Sequence, residues 1–195
     1  MPAETRLIDP SPDGQIGEIY LSHQEIATRV QELGRLLVAD YEGLEPILVA
    51  PLKSSAVFLA DLSRALPIVH GIDLIELAGY SEGAGGGVRL LKDLDSPISG
   101  RHVVIVEDVV DTGLTLHFLA RTLALRNPAS LSAVTLFDRP YRRLVDDLPL
   151  PYIGFTVPDE LLAGYGLGLE ERWRALPNVH FVTTDALPSA AADAA

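Results

Sequence analysis

The chain has 195 residues, of which 48% are hydrophobic, enough for the core of one domain and too few to favour two. Its formal net charge of -12 argues against an extended nucleic-acid surface, because such surfaces bind phosphates through lysine and arginine. The chain has no cysteine, which excludes disulfides and thiolate chemistry, and it shows neither the apolar run of a membrane span nor a signal peptide. We therefore expect a cytoplasmic protein.

The first half of the sequence predicts helices and strands in alternation. Ser22 and Glu25 form a capping box, which predicts a helix that ends near Asp40. The elements predicted next are a strand over 47–50, a helix over 56–66 and strands over 73–78 and 88–94. The last two strands are joined by GYSEGAGGG, whose glycines predict a movable loop.

The second half of the sequence continues the alternation. The predicted elements are a strand over 103–106, a helix over 114–125 and strands over 131–137 and 152–157. Strands that alternate with helices predict an α/β fold with a central, mainly parallel sheet flanked by helices. In such folds ligands bind at the carboxyl ends of the strands, so the residues just after each strand are candidates for function.

One such stretch, VVIVEDVVDTGLT over 103–115, sets acids directly after β-branched residues. We expect Glu107 and Asp108 just past the carboxyl end of the strand, and residues 111–115 in the turn that opens the next helix. The start of a helix offers N–H groups to an anion, and threonine hydroxyls there add donors. Adjacent carboxylates suit other work, such as accepting hydrogen bonds from sugar hydroxyls or holding a divalent cation beside a diphosphate. Together these features favour a phosphorylated sugar.

The same residues also have an interpretation without a ligand. Asp111 and Thr112 can cap the helix, while Glu107 and Asp108 can be solvated charges at a strand end. An isolated strand, acid and turn leaves this interpretation open. Two other patterns are weak signals for chemistry. The five histidines lack metal-ligand spacing, and PYRR at 140–143, whose arginines could touch a phosphate, is interpreted as a solvated corner.

The longer stretch VVIVEDVVDTGLTL resembles the 5-phosphoribosyl 1-diphosphate (PRPP) binding motif of the type I phosphoribosyltransferases, and especially of the hypoxanthine-guanine enzymes. Other segments resemble that family in the same order, namely LKSSAVFLADLSR, GVRLLKDLD, RNPASLSAVTLFDRP and YIGFTVPDELLAGYGL. The resemblance extends over roughly 18–182. It implies the type I phosphoribosyltransferase fold, with a small hood subdomain beside the sheet.

The resemblance also implies roles for individual residues. Glu107 and Asp108 would hold the ribose hydroxyls with magnesium nearby, and Asp111 would manage the proton on a ring nitrogen of the base. The 5-phosphate would be bound by Asp111, Thr112, Gly113, Leu114 and Thr115. The diphosphate would be bound by Leu52, Lys53, Ser54 and Arg174. The family often has a cis peptide bond ahead of the lysine. Tyr80 matches the tyrosine of a catalytic lid that closes over PRPP.

The implied base pocket departs from the family pattern. Arg139 stands where the family has a lysine that reads the C6 oxygen of the purine, and arginine is larger and planar. Leu161, with Leu162 beside it, stands where the family has an aromatic that stacks on the base. Gly168 replaces an aspartate that helps hold a second magnesium, and Gly79 replaces the lid serine.

These observations predict one phosphoribosyltransferase domain over 1–185, with a core over about 20–150 and a tail over 186–195 that we expect to be flexible. The hood is predicted from 151–185 and part of the N-terminus. The expected reaction is Mg²⁺-dependent transfer from PRPP to a hypoxanthine- or guanine-like base, giving a nucleoside monophosphate and diphosphate. We expect no nucleic-acid or membrane partner, and the resemblance implies a homodimer or homotetramer. The altered pocket keeps two alternatives open, a regulator that senses PRPP or nucleotides and a transferase for an unusual base.

Overall fold

The structure is a computed structural model, and it describes residues 16–78, 89–169 and 171–183. The strands are β1 (Ile16–Leu21), β2 (Ile47–Leu52), β3 (Gly71–Ala78), β4 (Arg89–Lys92), β5 (His102–Val110), β6 (Ser130–Asp138), β7 (Tyr152–Thr156), β8 (Leu162–Ala163) and β9 (Val179–Val182). The helices are α1 (His23–Tyr41), α2 (Ser55–Arg64), α3 (Leu114–Ala124) and a 3-10 helix (Pro140–Arg142). Among the described residues, every helix is too short or too polar to span a membrane.

A six-stranded sheet forms the centre of the larger of two compact units, Gln24–Asp159. Its strand order is β4-β3-β2-β5-β6-β7, and only β3 and β4 pair antiparallel. The predicted mainly parallel α/β sheet is therefore confirmed. The helices predicted over 56–66 and 114–125 are found as α2 and α3, within two residues at each end.

The connections of the sheet place a crevice between β2 and β5. Helix α2 joins β2 to β3 on one side, and α3 joins β5 to β6 on the other side. Because parallel crossovers are right-handed, connections that run in opposite directions lie on opposite faces of the sheet. Ligands in open α/β sheets bind where the strand order reverses in this way. The sheet therefore directs a ligand to the carboxyl ends of β2 and β5.

Successive side chains of β5 point to opposite faces of the sheet, and its apolar side chains are buried on both faces. Val103 and Ile105 pack in one core cluster with Leu116 and Leu119 of α3, while Val104 and Val106 are fully buried on the opposite face. Both faces of a parallel strand are covered in this type of fold, so the strand reads as a continuous apolar run.

Strand β5 is longer than the sequence predicted, which corrects the expected position of its acids. We predicted that the strand ends at residue 106, but it continues to Val110, and Glu107 pairs with Thr135 of β6. Val109 and Val110, which favour extended backbone, continue the ladder beyond the acids. Glu107 and Asp108 are therefore buried residues within the strand rather than solvated residues after it.

The second compact unit comprises Met1–His23 and Glu160–Ala195. Its described part contains a three-stranded antiparallel sheet in the order β1-β9-β8. The predicted start of the hood near 151 is wrong, because β7 pairs with β6 and completes the large sheet. The chain leaves the large unit only after Asp159. The predicted glycine-rich loop and the tail over 186–195 lie outside the described residues.

Candidate active site

A cleft of about 220 Å³ opens at the carboxyl end of β5. It is lined by Glu107, Val109, Val110, Asp111, Thr112, Gly113, Thr115 and Leu116. The sequence stretch that we singled out for its acids and its turn therefore supplies nearly the whole lining. The expected 5-phosphate residues Asp111 to Thr115 are together here, and Leu114 begins α3 beside them.

The turn into α3 is built to leave backbone donors at the cleft. Gly113 has a φ of 80°, and its carbonyl accepts the first helical hydrogen bond, from His117 N–H at 2.9 Å. The N-cap residue, Gly113, has no side chain that could cap this helix start. Leu114 N–H donates to Thr112 Oγ1 over 3.4 Å. The first N–H groups of a helix have no partner within the helix, so this turn can donate to an anion.

Gly113 is required at this turn for two reasons. Its positive φ is rarely adopted by residues with a side chain. A Cβ at this position would also lie 2.9 Å from both Leu148 Cδ1 and Val145 Cγ2. The loop that contains these residues is tied to the turn by Leu144 N–H, which donates to Thr112 O at 2.9 Å. The segment after the 3-10 helix thus supports the turn that opens α3.

Glu107 faces the cleft from within β5, and only 5% of it is exposed. Burial and the neighbouring Asp108 carboxylate raise the pKa of Glu107 well above the usual glutamate value. Its Oε1 is buried and has no hydrogen-bond partner among the described residues. A buried carboxylate oxygen in this state is suited to accept a hydrogen bond from a ligand or to bind a cation.

Asp108 is the next residue along β5, so its side chain lies on the opposite face of the strand. Its Oδ1 accepts hydrogen bonds from Ser54 Oγ at 3.0 Å and from Ser55 Oγ at 2.9 Å. Burial raises the pKa of Asp108, against the hydrogen bonds from the two serines, which lower it. Asp108 Oδ2 is buried and unpartnered within the described residues. Sequence reasoning missed Ser55, since nothing in the local pattern links it to residue 108.

Asp111 is held between two arginines of the segment that follows β6. Its Oδ2 lies 3.4 Å from Arg142 Nη1 and 3.8 Å from Arg139 Nη1. Arg142 also forms an ion pair with Asp159. Pro140, Tyr141 and Arg142 are exposed, as the interpretation of PYRR as a solvated corner predicts, but Arg142 also contacts the candidate acid–base residue. Asp111 Oδ1 is buried and has no hydrogen-bond partner in the described part of the chain.

The loop after β2 brings the expected diphosphate residues to the same edge of the sheet. The Leu52–Lys53 peptide bond is cis, as the family pattern implies. Lys53 is exposed, and Ser54 immediately precedes α2. Because β2 pairs directly with β5, this loop and Asp108 of β5 are neighbours.

The remaining predicted residues belong to other parts of the chain. Leu161, Leu162 and Arg174 belong to the smaller unit, in which Arg174 donates to Gly166 O at 3.0 Å and pairs with Glu171 at 3.2 Å. Tyr80 and Gly79 lie outside the described residues.

Gly168 is closely covered by the chain that follows it. A Cβ there would lie 2.7 Å from Arg174 Cγ and 2.9 Å from the carbonyl oxygen of Arg172. An aspartate at position 168 would therefore not fit without a shift of its neighbours, because the side chain of Arg174 occupies the space that its Cβ would need.

The unpartnered oxygens of Glu107 and Asp108 fit magnesium that binds together with a substrate. No group of three or more His, Cys, Asp or Glu side chains in the described residues could hold a metal alone. Glu107 Oε1 and Asp108 Oδ2 are, however, buried oxygens without partners among the described residues. Mg²⁺ in proteins is commonly held by one or two carboxylates plus phosphate oxygens of the substrate.

Residues 17–167 match the family model of the phosphoribosyl transferase domain. The chain therefore belongs to this family, and it is a type I phosphoribosyltransferase similar to the hypoxanthine-guanine enzymes.

Named relatives narrow the comparison further. The chain is 42% identical to the hypoxanthine phosphoribosyltransferase of Salmonella typhimurium over 166 residues, which cover 83% of this chain and 93% of the relative. It is 39% identical to the hypoxanthine-guanine phosphoribosyltransferase of Mycobacterium bovis, and the match covers 90% of this chain and 89% of that relative. The chain also resembles a crystal structure of a hypoxanthine-guanine phosphoribosyltransferase from Bacillus anthracis, with 40% sequence identity and a TM-score of 0.81. This match covers 87% of this chain and 99% of that structure's chain.

The buried state of Glu107 predicts an unusual dependence of stability on pH. Its pKa is raised on folding, so the folded protein loses stability as pH rises from the unfolded value, about 4.3, through the folded value. Glu107→Gln should therefore stabilise the magnesium-free protein at pH 8, by about 1.4 kcal/mol per unit of pKa difference. The gain should vanish towards pH 4. Calorimetric unfolding between these values measures it, with the exposed Glu42→Gln as control. A variant less stable than the wild type at pH 8 would contradict the assignment.

Proposed function

We propose that this chain catalyses Mg²⁺-dependent transfer of the 5-phosphoribosyl group from PRPP to a hypoxanthine- or guanine-like base. One observation carries the proposal: a turn with helix-start donors, the buried Glu107 and the acid Asp111 line one cleft where the strand order reverses, and the buried Asp108 of the same strand faces the loop after β2. Each part matches a chemical group of PRPP or of the acceptor base. The names of the relatives support a purine as the acceptor.

In the proposed mechanism, residues 111–115 bind the 5-phosphate through the N–H groups and hydroxyls at the start of α3. Glu107 and Asp108 accept hydrogen bonds from the ribose hydroxyls through Oε1 and Oδ2. These contacts orient C1′ of the ribose. The bond from the ring nitrogen of the base to C1′ forms as the bond from C1′ to the diphosphate oxygen breaks.

Asp111 receives the proton that leaves the ring nitrogen in this mechanism. Its Oδ2 is held by Arg142, so Oδ1 is the oxygen available to the base. Glu107 and Asp108 would also hold magnesium. When bound, the ion would neutralise the charge that develops on the diphosphate. Lys53 lies on the loop that would contact the diphosphate from the other side of the crevice.

Steady-state kinetics test this function directly. Purified protein would be assayed with PRPP and magnesium against hypoxanthine, guanine and xanthine, following diphosphate release. We expect saturable turnover with at least one of these bases. PRPP binding without turnover of any of them would contradict the proposed function. We also propose a cytoplasmic homodimer or homotetramer, which light scattering on purified protein would measure.

A PRPP- or nucleotide-sensing regulator is the second candidate, and the observation that favours it is the aliphatic Leu161, which is 38% exposed. In this role the chain would bind ligands of the same site without efficient catalysis. A transferase for an unusual base would instead use Arg139 and Leu161 as parts of a working pocket. The acceptor screen separates the candidates, because a regulator turns over no base efficiently.

Leu161→Phe is expected to lower the KM for hypoxanthine or guanine by about 5- to 150-fold, because stacking of a base on an aromatic contributes roughly 1–3 kcal/mol. The measurement is the KM for the base at saturating PRPP. Leu161→Met, which changes the side chain without adding a ring, is the matched control. An unchanged KM in the phenylalanine variant would show that residue 161 does not stack on the base. Gly168→Asp is a poorer test, because its Cβ would collide with Arg172 O.

A further inference from the structure

The side chains of the two serines that follow Lys53 bond to Asp108 rather than capping helix α2. Ser54 is the N-cap residue of α2, a position where a serine hydroxyl commonly accepts a backbone N–H, yet it makes no such hydrogen bond. Its backbone is helical, with φ of -62° and ψ of -38°. Both serine hydroxyls instead donate across the crevice to Asp108 of β5.

The sheet explains how this contact arises. Strands β2 and β5 are in parallel register, and their last pair is Val49 with Ile105. Three residues further along each strand lie Leu52 and Asp108, beyond the end of this pairing. The loop after β2 therefore begins level with Asp108. The first two residues after Lys53, Ser54 and Ser55, reach its carboxylate.

Both donors are placed on the same oxygen of Asp108. Ser54 Oγ lies 3.0 Å and Ser55 Oγ 2.9 Å from Oδ1, and Asp108 N–H in turn donates to Ser55 Oγ at 3.3 Å. Ser55 is fully buried. Asp108 Oδ2 has no partner among the described residues. Donors that served only to satisfy a buried carboxylate would be expected on both oxygens, whereas this arrangement fixes one oxygen and leaves the other for a ligand.

We propose that Ser54 and Ser55 are positioning residues that couple the diphosphate loop to Asp108. Diphosphate that binds beside Lys53 orders the loop, and the serine hydroxyls transmit this order to the carboxylate that binds the ribose hydroxyls. The two halves of PRPP are then recognised cooperatively. This inference rests on the proposed function, because it takes Lys53 as a diphosphate contact and Asp108 as a ribose contact.

Calorimetric titration can measure this coupling without any acceptor base. The probes are ribose 5-phosphate, titrated with and without saturating inorganic diphosphate, at one fixed magnesium concentration. The coupling factor is the ratio of the two dissociation constants. In the wild type we expect diphosphate to tighten ribose 5-phosphate binding by about 5- to 150-fold, the usual range for coupled sites. In Ser54→Ala and Ser55→Ala the factor should fall towards one.

Two further variants separate coupling from a loss of structure. Ser54→Thr keeps the hydroxyl and should keep the coupling factor. Ser63→Ala removes a hydroxyl from the far end of the same helix, where it bonds His70 at 2.8 Å, and should leave the factor unchanged. Ser54 is only half-buried, so Ser54→Ala keeps the proposal testable even if Ser55→Ala fails to fold.

Several outcomes would overturn the proposal. A factor near one in the wild type would do so, as would an undiminished factor in the alanine variants. Alanine variants that bind ribose 5-phosphate more weakly but keep the factor would show that the serines only align Asp108. Failure of the wild type to bind ribose 5-phosphate, diphosphate or PRPP would overturn the proposed function together with this inference. Normal turnover by the wild type, together with a coupling factor that Ser54→Ala and Ser55→Ala leave unchanged, would overturn this inference alone.

Discussion

Thr115→Glu is expected to abolish the binding of PRPP and of nucleoside monophosphates. Thr115 is the second residue of α3, and it lines the cleft with an exposed side chain. A glutamate there would place a negative charge against the 5-phosphate, and such like-charge contacts cost several kcal/mol. We expect affinity to fall by at least about 100-fold, which corresponds to roughly 2.7 kcal/mol. Because the side chain is exposed, the fold should tolerate the substitution.

The matched control for this prediction is Thr115→Gln, which has nearly the same size as glutamate and no charge. It should retain affinity to within about tenfold, since only steric crowding and one hydroxyl donor are changed. Calorimetric titration of both variants with PRPP and with inosine monophosphate compares them. If Thr115→Glu binds these ligands with wild-type affinity, the 5-phosphate does not bind at this turn.

Asp111→Asn is expected to lower kcat by about 10² to 10⁴, because a positioned proton-transfer group contributes a factor of this size. PRPP binding should survive, because asparagine keeps an oxygen that can accept from Arg142. The expected pattern is thus a large loss in kcat with little change in the dissociation constant of PRPP.

Asp146→Asn makes the same chemical change at an exposed position of the loop after the 3-10 helix, and it should leave kcat unchanged. Single-turnover measurements on both variants distinguish a slower chemical step from slower product release. If kcat in Asp111→Asn stays within about threefold of the wild type, far less than the loss of a general base causes, another group handles the proton.

The sequence allowed the large sheet to be predicted because its signals are local. Burial on both faces turns β2 and β5 into apolar runs, and the helices between the strands carry their own periodicity. The extent of β5 was underestimated because acids normally indicate solvent, whereas Glu107 and Asp108 are held inside the strand by its pairing with β6. Strand β1 was not predicted, because it is defined by pairing with β9, more than a hundred residues away.

The candidate site shows the same division. The turn that opens α3 and Glu107 occupy one contiguous stretch, and so their meeting at one cleft could be predicted. The contacts that hold the acids could not. Ser55 reaches Asp108 only because β2 and β5 are adjacent in the sheet. Arg142 reaches Asp111 only because the segment after β6 turns back over the end of β5.

The proposed phosphoribosyltransferase activity is measured most directly as the conversion of hypoxanthine and PRPP to inosine monophosphate in the presence of magnesium. Chromatography would quantify nucleotide and diphosphate in the same reaction, with guanine and xanthine as alternative acceptors. We expect one nucleotide and one diphosphate for each base consumed, at a rate that Asp111→Asn lowers by about 10² or more. Tight binding of PRPP with no nucleotide formed from any of the three bases would contradict the proposed activity.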